Sequence, residues 1–192
     1  MDKERAYAAR VLATVSFHFR SSRLEYLAEV LQSLAEYPTQ TMDVIVLTNT
    51  SREDELKLLN RLCDETCPDA RVSVRSYNQL TDPWLLTWCH KEIVANEFVQ
   101  DNMGRYTHFI YLESDIRLSF ANFCYWIEFR DALRSFGLLP AFVRLEYCTA
   151  LAGFTSSDLF WPVYVPVQTH ACLDNTVFVN VPNPYNPFYI LF

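Results

Sequence analysis

The sequence predicts an α/β fold: a mostly parallel central sheet with helices on both faces, followed by an irregular, proline- and aromatic-rich C-terminal segment. Three observations predict it. Short β-rich apolar runs alternate with amphipathic helical stretches as far as Cys148. The connections between them are short, which favours βαβ units and a parallel sheet. After Gly153 the alternation stops, and five of the nine prolines fall between Pro162 and Pro187.

Val11 to Phe19 suits a buried first strand. Ser22-Arg23-Leu24-Glu25 reads as a capping box, and Leu24, Leu27, Leu31 and Leu34 form one helical stripe. Asp43 to Thr48 is a second strand. Thr50-Ser51-Arg52-Glu53 reads as the cap of a helix with Leu56, Leu59, Leu62 and Cys63 inward. Arg71 to Tyr77 alternates as a third strand. Pro83 sits where a first helical turn begins, and a helix from Trp84 to Gln100 follows, with Trp84, Trp88, Ala95 and Val99 as its apolar side. Thr107 to Ile116 is a fourth strand. Ala121 to Phe136 is a helix with Phe123, Trp126, Ile127 and Leu133 inward and Gly137 as its C-cap. Leu139 to Cys148 reads as a fifth strand. The segment beyond Gly153 is expected to supply short strands along one edge. Its apolar ending, Tyr189-Ile190-Leu191-Phe192, reads as a possible truncation.

At 192 residues the chain suits one domain. Its net charge of -7 and lack of a basic run give no electrostatic footprint for nucleic acid or an anionic membrane. Met1 to Arg10 is polar, with no apolar stretch of a secretory signal, and no apolar run is long enough to span a bilayer. A soluble cytoplasmic protein is the expectation. Cys63, Cys67, Cys89, Cys124, Cys148 and Cys172 lie in apolar segments without the paired spacing of a zinc site, and read as core thiols. With three glycines, Gly104, Gly137 and Gly153, the chain has neither G-x-G-x-x-G nor a Walker A loop. A Rossmann dehydrogenase or a P-loop NTPase is therefore disfavoured.

Parallel sheets bind ligands at the carboxyl ends of their strands, so the residues following each strand carry the functional reading. The sharpest is His108-Phe109-Ile110-Tyr111-Leu112-Glu113-Ser114-Asp115. A largely apolar run ends in two carboxylates at i and i+2. On a strand both point the same way, with Cα atoms about 6.5–7 Å apart. They repel unless a cation lies between them, and a hard divalent ion, Mn²⁺ or Mg²⁺, is the natural guest. The alternative is two solvated acids in a strand-to-helix loop.

A hydrophobic strand ending in D-x-D or a variant, fourth in an N-terminal β-α-β-α-β array, resembles the GT-A glycosyltransferases. The resemblance covers roughly residues 10 to 150 by element order, leaving 151 to 192 as an acceptor-side segment of the same domain. It implies a nucleoside-diphosphate-sugar donor, a hydroxyl acceptor and a metal held by Asp115, with Glu113 on metal or ribose. It also implies nucleotide contacts from His18, Arg20 and Arg23 after the first strand, although ordinary surface arginines explain those two positions equally. Thr48, Asn49 and Thr50 follow the second strand. Thr50 is accounted for as a cap, and Asn49 is placed to touch the base. Thr87, His90 and Lys91 share one helix face: Lys91 and His90 meet phosphate on this view, or the face is simply solvated.

Arg144 and Glu146 alternate on the expected fifth strand, either as a structural ion pair or as cleft residues. Glu146 is the candidate for the carboxylate that takes the acceptor's proton, with Asp158 and Asp174 as alternatives. His170 is a further candidate metal ligand or a structural residue. Two rivals stand beside sugar transfer. One is a nucleotidyltransferase, disfavoured because Phe17-His18-Phe19-Arg20-Ser21-Ser22 holds no glycine. The other is a non-catalytic binding or structural remnant of such a domain.

Overall fold

The computed structural model describes residues 3–68, 70–99, 105–156, 169–173, 176–179 and 188–191. They fall into two compact units. The larger comprises Asp2–Phe123 with Pro187–Phe192; the smaller lies within Cys124–Asn186.

The larger unit begins with a short helix α1 (Lys3–Tyr7) and is built on strands β1 (Arg10–Phe17), β2 (Thr41–Thr48), β3 (Arg71–Ser76) and β4 (His108–Glu113). Helix α2 (Leu24–Ala35) joins β1 to β2, and α3 (Glu53–Thr66) joins β2 to β3. A 3₁₀ turn (Pro83–Trp88) and α4 (His90–Val99) lead to β4, and α5 (Phe120–Arg134) follows it. All three pairings among β1 to β4 are parallel. The expected α/β architecture is present. The sheet order is β3-β2-β1-β4-β9, where β9 (Phe188–Leu191) runs antiparallel to β4. The fifth strand of the sheet is thus the apolar C-terminal run, which is paired through its backbone.

Register assigns the two faces. Leu12, Ile45, Leu47 and Phe109 pack with Leu86 and Ile93, from the 3₁₀ turn and α4, in one cluster. On the opposite face Val11, Ala13, Val15, Val44, Val46, Ile110 and Leu112 are all 0–1% exposed. Phe123, in the first turn of α5, stands edge-on to His108 at 5.3 Å and lies against Tyr37 at 5.6 Å. Ser33 and Tyr37 both donate to the Leu118 carbonyl, at 2.8 and 2.9 Å. A strand buried on both faces reads as a near-continuous apolar run, which is why β1, β2 and β4 stand out in the sequence.

Several local expectations are corrected. Neither Ser22 nor Thr50 makes a capping box. A 3₁₀ turn (Ser21–Arg23) precedes α2, and neither α2 nor α3 has a side-chain cap at its N-terminus. Thr50 instead accepts from the Arg52 amide at 3.2 Å and donates to the Glu55 carboxylate. The expected helix from Trp84 is a 3₁₀ turn capped by Asp82, which accepts from the Trp84 amide at 2.9 Å. Its stripe is also different: Trp84 is 74% and Trp88 57% exposed, and Ala95 is exposed, while Leu86, His90 and Ile93 are buried. The side chain of Val99 lies outside the described residues.

The smaller unit has its own core of Leu133, Ala171 and Phe178, with Tyr125, Phe129, Leu138 and Leu173 packed against it. Gly137 ends α5 at φ +70, with the Leu138 amide on the Leu133 carbonyl (3.1 Å) and its own amide on the Arg134 carbonyl (3.0 Å). That bonding is a Schellman motif, and Leu138 against Leu133 is its hydrophobic contact. Residues 139–145 form no strand. β5 (Glu146–Cys148) pairs with β6 (Gly153–Thr155) in a two-stranded hairpin, and β7 (Thr169–Leu173) with β8 (Thr176–Val179) in another. The expected fifth parallel strand at Leu139 to Cys148 is therefore absent.

All six cysteines are free thiols. Cys63, Cys67 and Cys124 are core thiols as expected; Cys172 is exposed. Burial pushes the Cys63 thiol up to about 12 and Cys67 up to about 11, so both are inert at neutral pH. Among the described residues no helix is long and apolar enough to cross a membrane.

Candidate functional site

The strand order fixes where a ligand cleft belongs. The chain winds outward from β1 to β2 to β3, then returns to place β4 on the other side of β1. The carboxyl ends of β1 and β4 flank this reversal, the position at which open parallel sheets bind ligands. Two loops meet there: residues 18–23 after β1, and Glu113 to Asp115 at the end of β4.

The β4 end is tightly held. The Ser114 amide donates to the Ser16 carbonyl at 3.0 Å, and the Ile116 amide turns back onto the Glu113 carbonyl at 3.0 Å. Burial alternates through the turn: Ser114, Ile116 and Leu118 are buried, whereas Glu113 is half-buried and Asp115 and Arg117 are exposed. The expected strand through Ile116 ends at Glu113, so Asp115 follows in the turn rather than alternating with Glu113 on one strand.

From the facing loop, the Arg23 guanidinium donates to the Asp115 carboxylate. Arg23 ends the 3₁₀ turn after β1, and its amide is fixed on the Arg20 carbonyl at 2.9 Å. His18, half-buried in the same loop, has its pKa lowered from 6.5, first by burial and then by the positive charges of Arg23 and Arg20. It is neutral at pH 7. The Phe19 amide donates to Asn49 Oδ1 at 2.9 Å, so Asn49 fastens the β1 loop to the end of β2.

His90 is not on a solvated face. It is 7% exposed, its Nδ1 donates to the Thr87 carbonyl at 2.6 Å, and its ring stacks on Tyr111 at 4.3 Å. Its pKa is lowered, chiefly by burial. Tyr111 in turn shares a hydrogen bond with Ser16 Oγ at 3.0 Å. This polar seam of Ser16, Tyr111 and His90 lies on the same sheet face as Glu113 and was missed in the sequence. Its one signal is the alternation of Thr14 and Ser16 with Ala13, Val15 and Phe17 in β1. Lys91, exposed, holds its Nζ 3.8 Å above the Trp88 ring. Thr48 is fully buried, with no hydrogen-bond partner for its hydroxyl among the described residues.

Glu146 belongs to the smaller unit, in β5, and its side chain is 45% exposed and 2.8 Å from Arg144 Nε. It is a hairpin residue rather than a residue of a central strand, and of the two readings offered for Arg144 and Glu146 the ion pair is made. Asp158 and Asp174 lie outside the described residues, as does the side chain of His170, which falls in β7.

Two carboxylates offer hard oxygen donors, the chemistry that Mg²⁺ or Mn²⁺ prefers. Among the described residues no three His, Cys, Asp or Glu side chains converge as a metal cage. Magnesium-type ions commonly take only one or two protein carboxylates and complete their shell with water and phosphate oxygens. Glu113 and Asp115 carry that type of donor, and Asp115 is held by Arg23. A cavity of about 410 Å³ lies at the other end of the sheet, lined in part by Thr41, Asp43 and Arg71. Asp43 there is already engaged by the Tyr106 hydroxyl, Arg105 at 3.4 Å and Arg71 at 3.7 Å, so it has the character of a structural cluster.

No protein-family profile and no curated protein sequence matches the chain. Solved structures similar to it include a mannosyltransferase from Pyrobaculum calidifontis in complex with GDP-Man and Mn²⁺. That match has a TM-score of 0.41 and 14% identity, over 58% of this chain and 29% of that one. Residues 1–349 of S. aureus TarS match with a TM-score of 0.41 and 16% identity, over 65% of this chain and 33% of that one. The same TarS fragment in complex with UDP-GlcNAc gives 0.40. The chain spans about a third of the length of these structures.

Proposed function

We propose that the chain is the nucleotide-sugar-binding part of a metal-dependent glycosyltransferase, which moves a sugar from a nucleoside-diphosphate donor to an acceptor hydroxyl. One observation carries the reading: at the topological reversal of a parallel sheet, Arg23 of the basic loop after β1 meets Asp115, two residues beyond Glu113 at the end of β4. Arg20, Arg23 and His18 supply donors for a diphosphate in a chain that is otherwise acidic. Glu113 and Asp115 would hold Mn²⁺ or Mg²⁺. Such an ion, when bound, stabilises charge on the departing diphosphate. Asn49 holds the β1 loop in place beside the donor. His90 supports the sheet under Glu113 rather than donating to phosphate from a solvated face. Lys91 remains a candidate phosphate contact, and Glu146 the candidate base toward the acceptor.

The reading is tested by calorimetric titration of UDP and of GDP, each with and without Mn²⁺, on the wild-type chain and Asp115→Ala. The expected result is binding that requires Mn²⁺ and weakens at least about a hundredfold in Asp115→Ala, the loss of a charge-assisted ligand. Metal-independent binding that Asp115→Ala leaves intact would place the nucleotide elsewhere. A second reading, a binding module without transfer activity, is favoured by the engagement of Asp115 with Arg23. Nucleotide binding that Mn²⁺ does not strengthen, without donor hydrolysis, would support it.

A further inference from the structure

We propose that Arg23 is an exchangeable counter-ion: it holds Asp115 in the free protein and passes to a phosphoryl oxygen when a nucleoside diphosphate and its divalent cation arrive together. The inference rests on the functional reading above and adds a coupling device to the same site.

The geometry is that of a removable partner. The Arg23–Asp115 pair joins residues 92 apart in sequence, across the two loops that flank the reversal. By contrast, Arg52 pairs with its own neighbours Asp54 and Glu55 at the start of α3. The two side chains are 35% and 37% exposed, so solvent and ligand reach the pair. Exposed pairs of this kind are held weakly. The Arg23 backbone is fixed by its 3₁₀ turn, which leaves the exchange to the long side chain alone.

Charge balance then sets the coupling. A divalent cation that takes Asp115 releases Arg23 beside Arg20 and His18, where burial and then positive charge already depress the histidine's pKa. Metal alone therefore displaces one cation and strands it near another, which opposes binding. A diphosphate arriving with the metal gives the released guanidinium an anionic partner in which fork geometry is favoured. Metal and nucleotide consequently reinforce one another, and the reinforcement is reciprocal. In the absence of donor, Arg23 keeps the carboxylate compensated.

The test is Mn²⁺ binding followed by the paramagnetic resonance signal of the free aquo ion, with and without UDP or GDP. It is run on wild type, Arg23→Met and Asp115→Asn, with circular dichroism confirming the fold of each. Wild type is expected to bind Mn²⁺ at least about tenfold more tightly with nucleotide present. Arg23→Met is expected to bind Mn²⁺ alone about tenfold more tightly than wild type and to lose most of the nucleotide-dependent gain. Asp115→Asn should bind Mn²⁺ poorly in either condition. If Arg23→Met binds Mn²⁺ alone no better than wild type, while nucleotide and metal still bind together, the exchange is wrong and the functional reading survives. If Arg23→Met tightens Mn²⁺ but no version binds nucleotide, the competition for Asp115 stands and the hand-over to phosphate falls with the functional reading. If no version binds Mn²⁺, both fall.

Discussion

The two units of this chain spend their apolar residues differently. In the larger unit β1 is buried on both faces, and Phe17 at its end is fully buried. In the smaller unit the β5–β6 hairpin carries a cross-strand aromatic pair, Tyr147 with Phe154 at 5.7 Å, and both rings are largely exposed. Its real core is a small aromatic cluster built from α5 and β8, with Phe129 and Phe178 5.0 Å apart. In sequence the smaller unit is the more apolar of the two. Alternation and run length therefore identify strands more reliably than they identify what is buried.

Truncating Phe17 and Phe154 to alanine gives the largest and clearest contrast. Phe17→Ala leaves a cavity between the sheet and its covering helices, and such changes cost about 3–5 kcal/mol. Phe154→Ala removes an exposed ring and one cross-strand contact, worth less than about 1 kcal/mol. Urea unfolding monitored by far-UV circular dichroism separates the two. Equal losses would mean that the hairpin is covered as thoroughly as β1, and the contrast would collapse.

Acidification should act on the larger unit through His90. Burial lowers its folded pKa below the ordinary 6.5, so the unfolded chain takes up the proton first. Stability from keeping this ring neutral is fully present above about pH 6.5 and is lost as pH falls toward and through the folded value. His18, lowered in the same direction, adds to the slope. Comparing unfolding midpoints at about pH 7.5 and about pH 5.5, His90→Phe should show a shallower loss than wild type. An unchanged slope would mean that His90 does not titrate differently between the folded and unfolded chains. The phenyl ring can keep the stack on Tyr111, although the bond to the Thr87 carbonyl is lost.

Much of the larger unit is legible in its sequence because local and tertiary demands agree there. Leu27, Leu31 and Leu34 are buried as their spacing predicts, and β1, β2 and β4 carry the runs that two-sided burial requires. Legibility fails where a residue's partner is distant or its local geometry is unusual. Ser22 and Thr50 have the right neighbours for capping boxes, but 3₁₀ geometry and the Glu55 contact claim those positions instead. Trp84 and Trp88 fit an apolar stripe only if the helix begins at Pro83; a 3₁₀ turn rotates them outward. The Leu139 to Cys148 run fails as a parallel strand because the place beside β4 is taken by β9, more than forty residues later. At the candidate site, the spacing of Glu113 and Asp115 is visible by eye. The engagement of Asp115 by Arg23 depends on a sheet order that brings β1 beside β4, and no local pattern announces it.

The smallest expected effects come from two turns in the smaller unit with opposite chemistry. Gly137 ends α5 at φ +70 with open space around the position of a missing Cβ, whereas Ala152 holds φ 47 in the β5–β6 hairpin turn. A left-handed conformation costs an L-residue about 1–2 kcal/mol, while glycine costs about 0.5–1 kcal/mol in unfolded-chain entropy. Gly137→Ala should therefore destabilise by about 0.5 kcal/mol, backbone strain less the entropy term, since no neighbour obstructs the added methyl. Ala152→Gly should stabilise by about 0.5 kcal/mol by the same arithmetic run backward. Thermal unfolding of both variants tests the pair together. If Ala152→Gly lowers the midpoint, the hairpin turn is not held in the left-handed region, and the Tyr147–Phe154 register that depends on it would have to be redrawn.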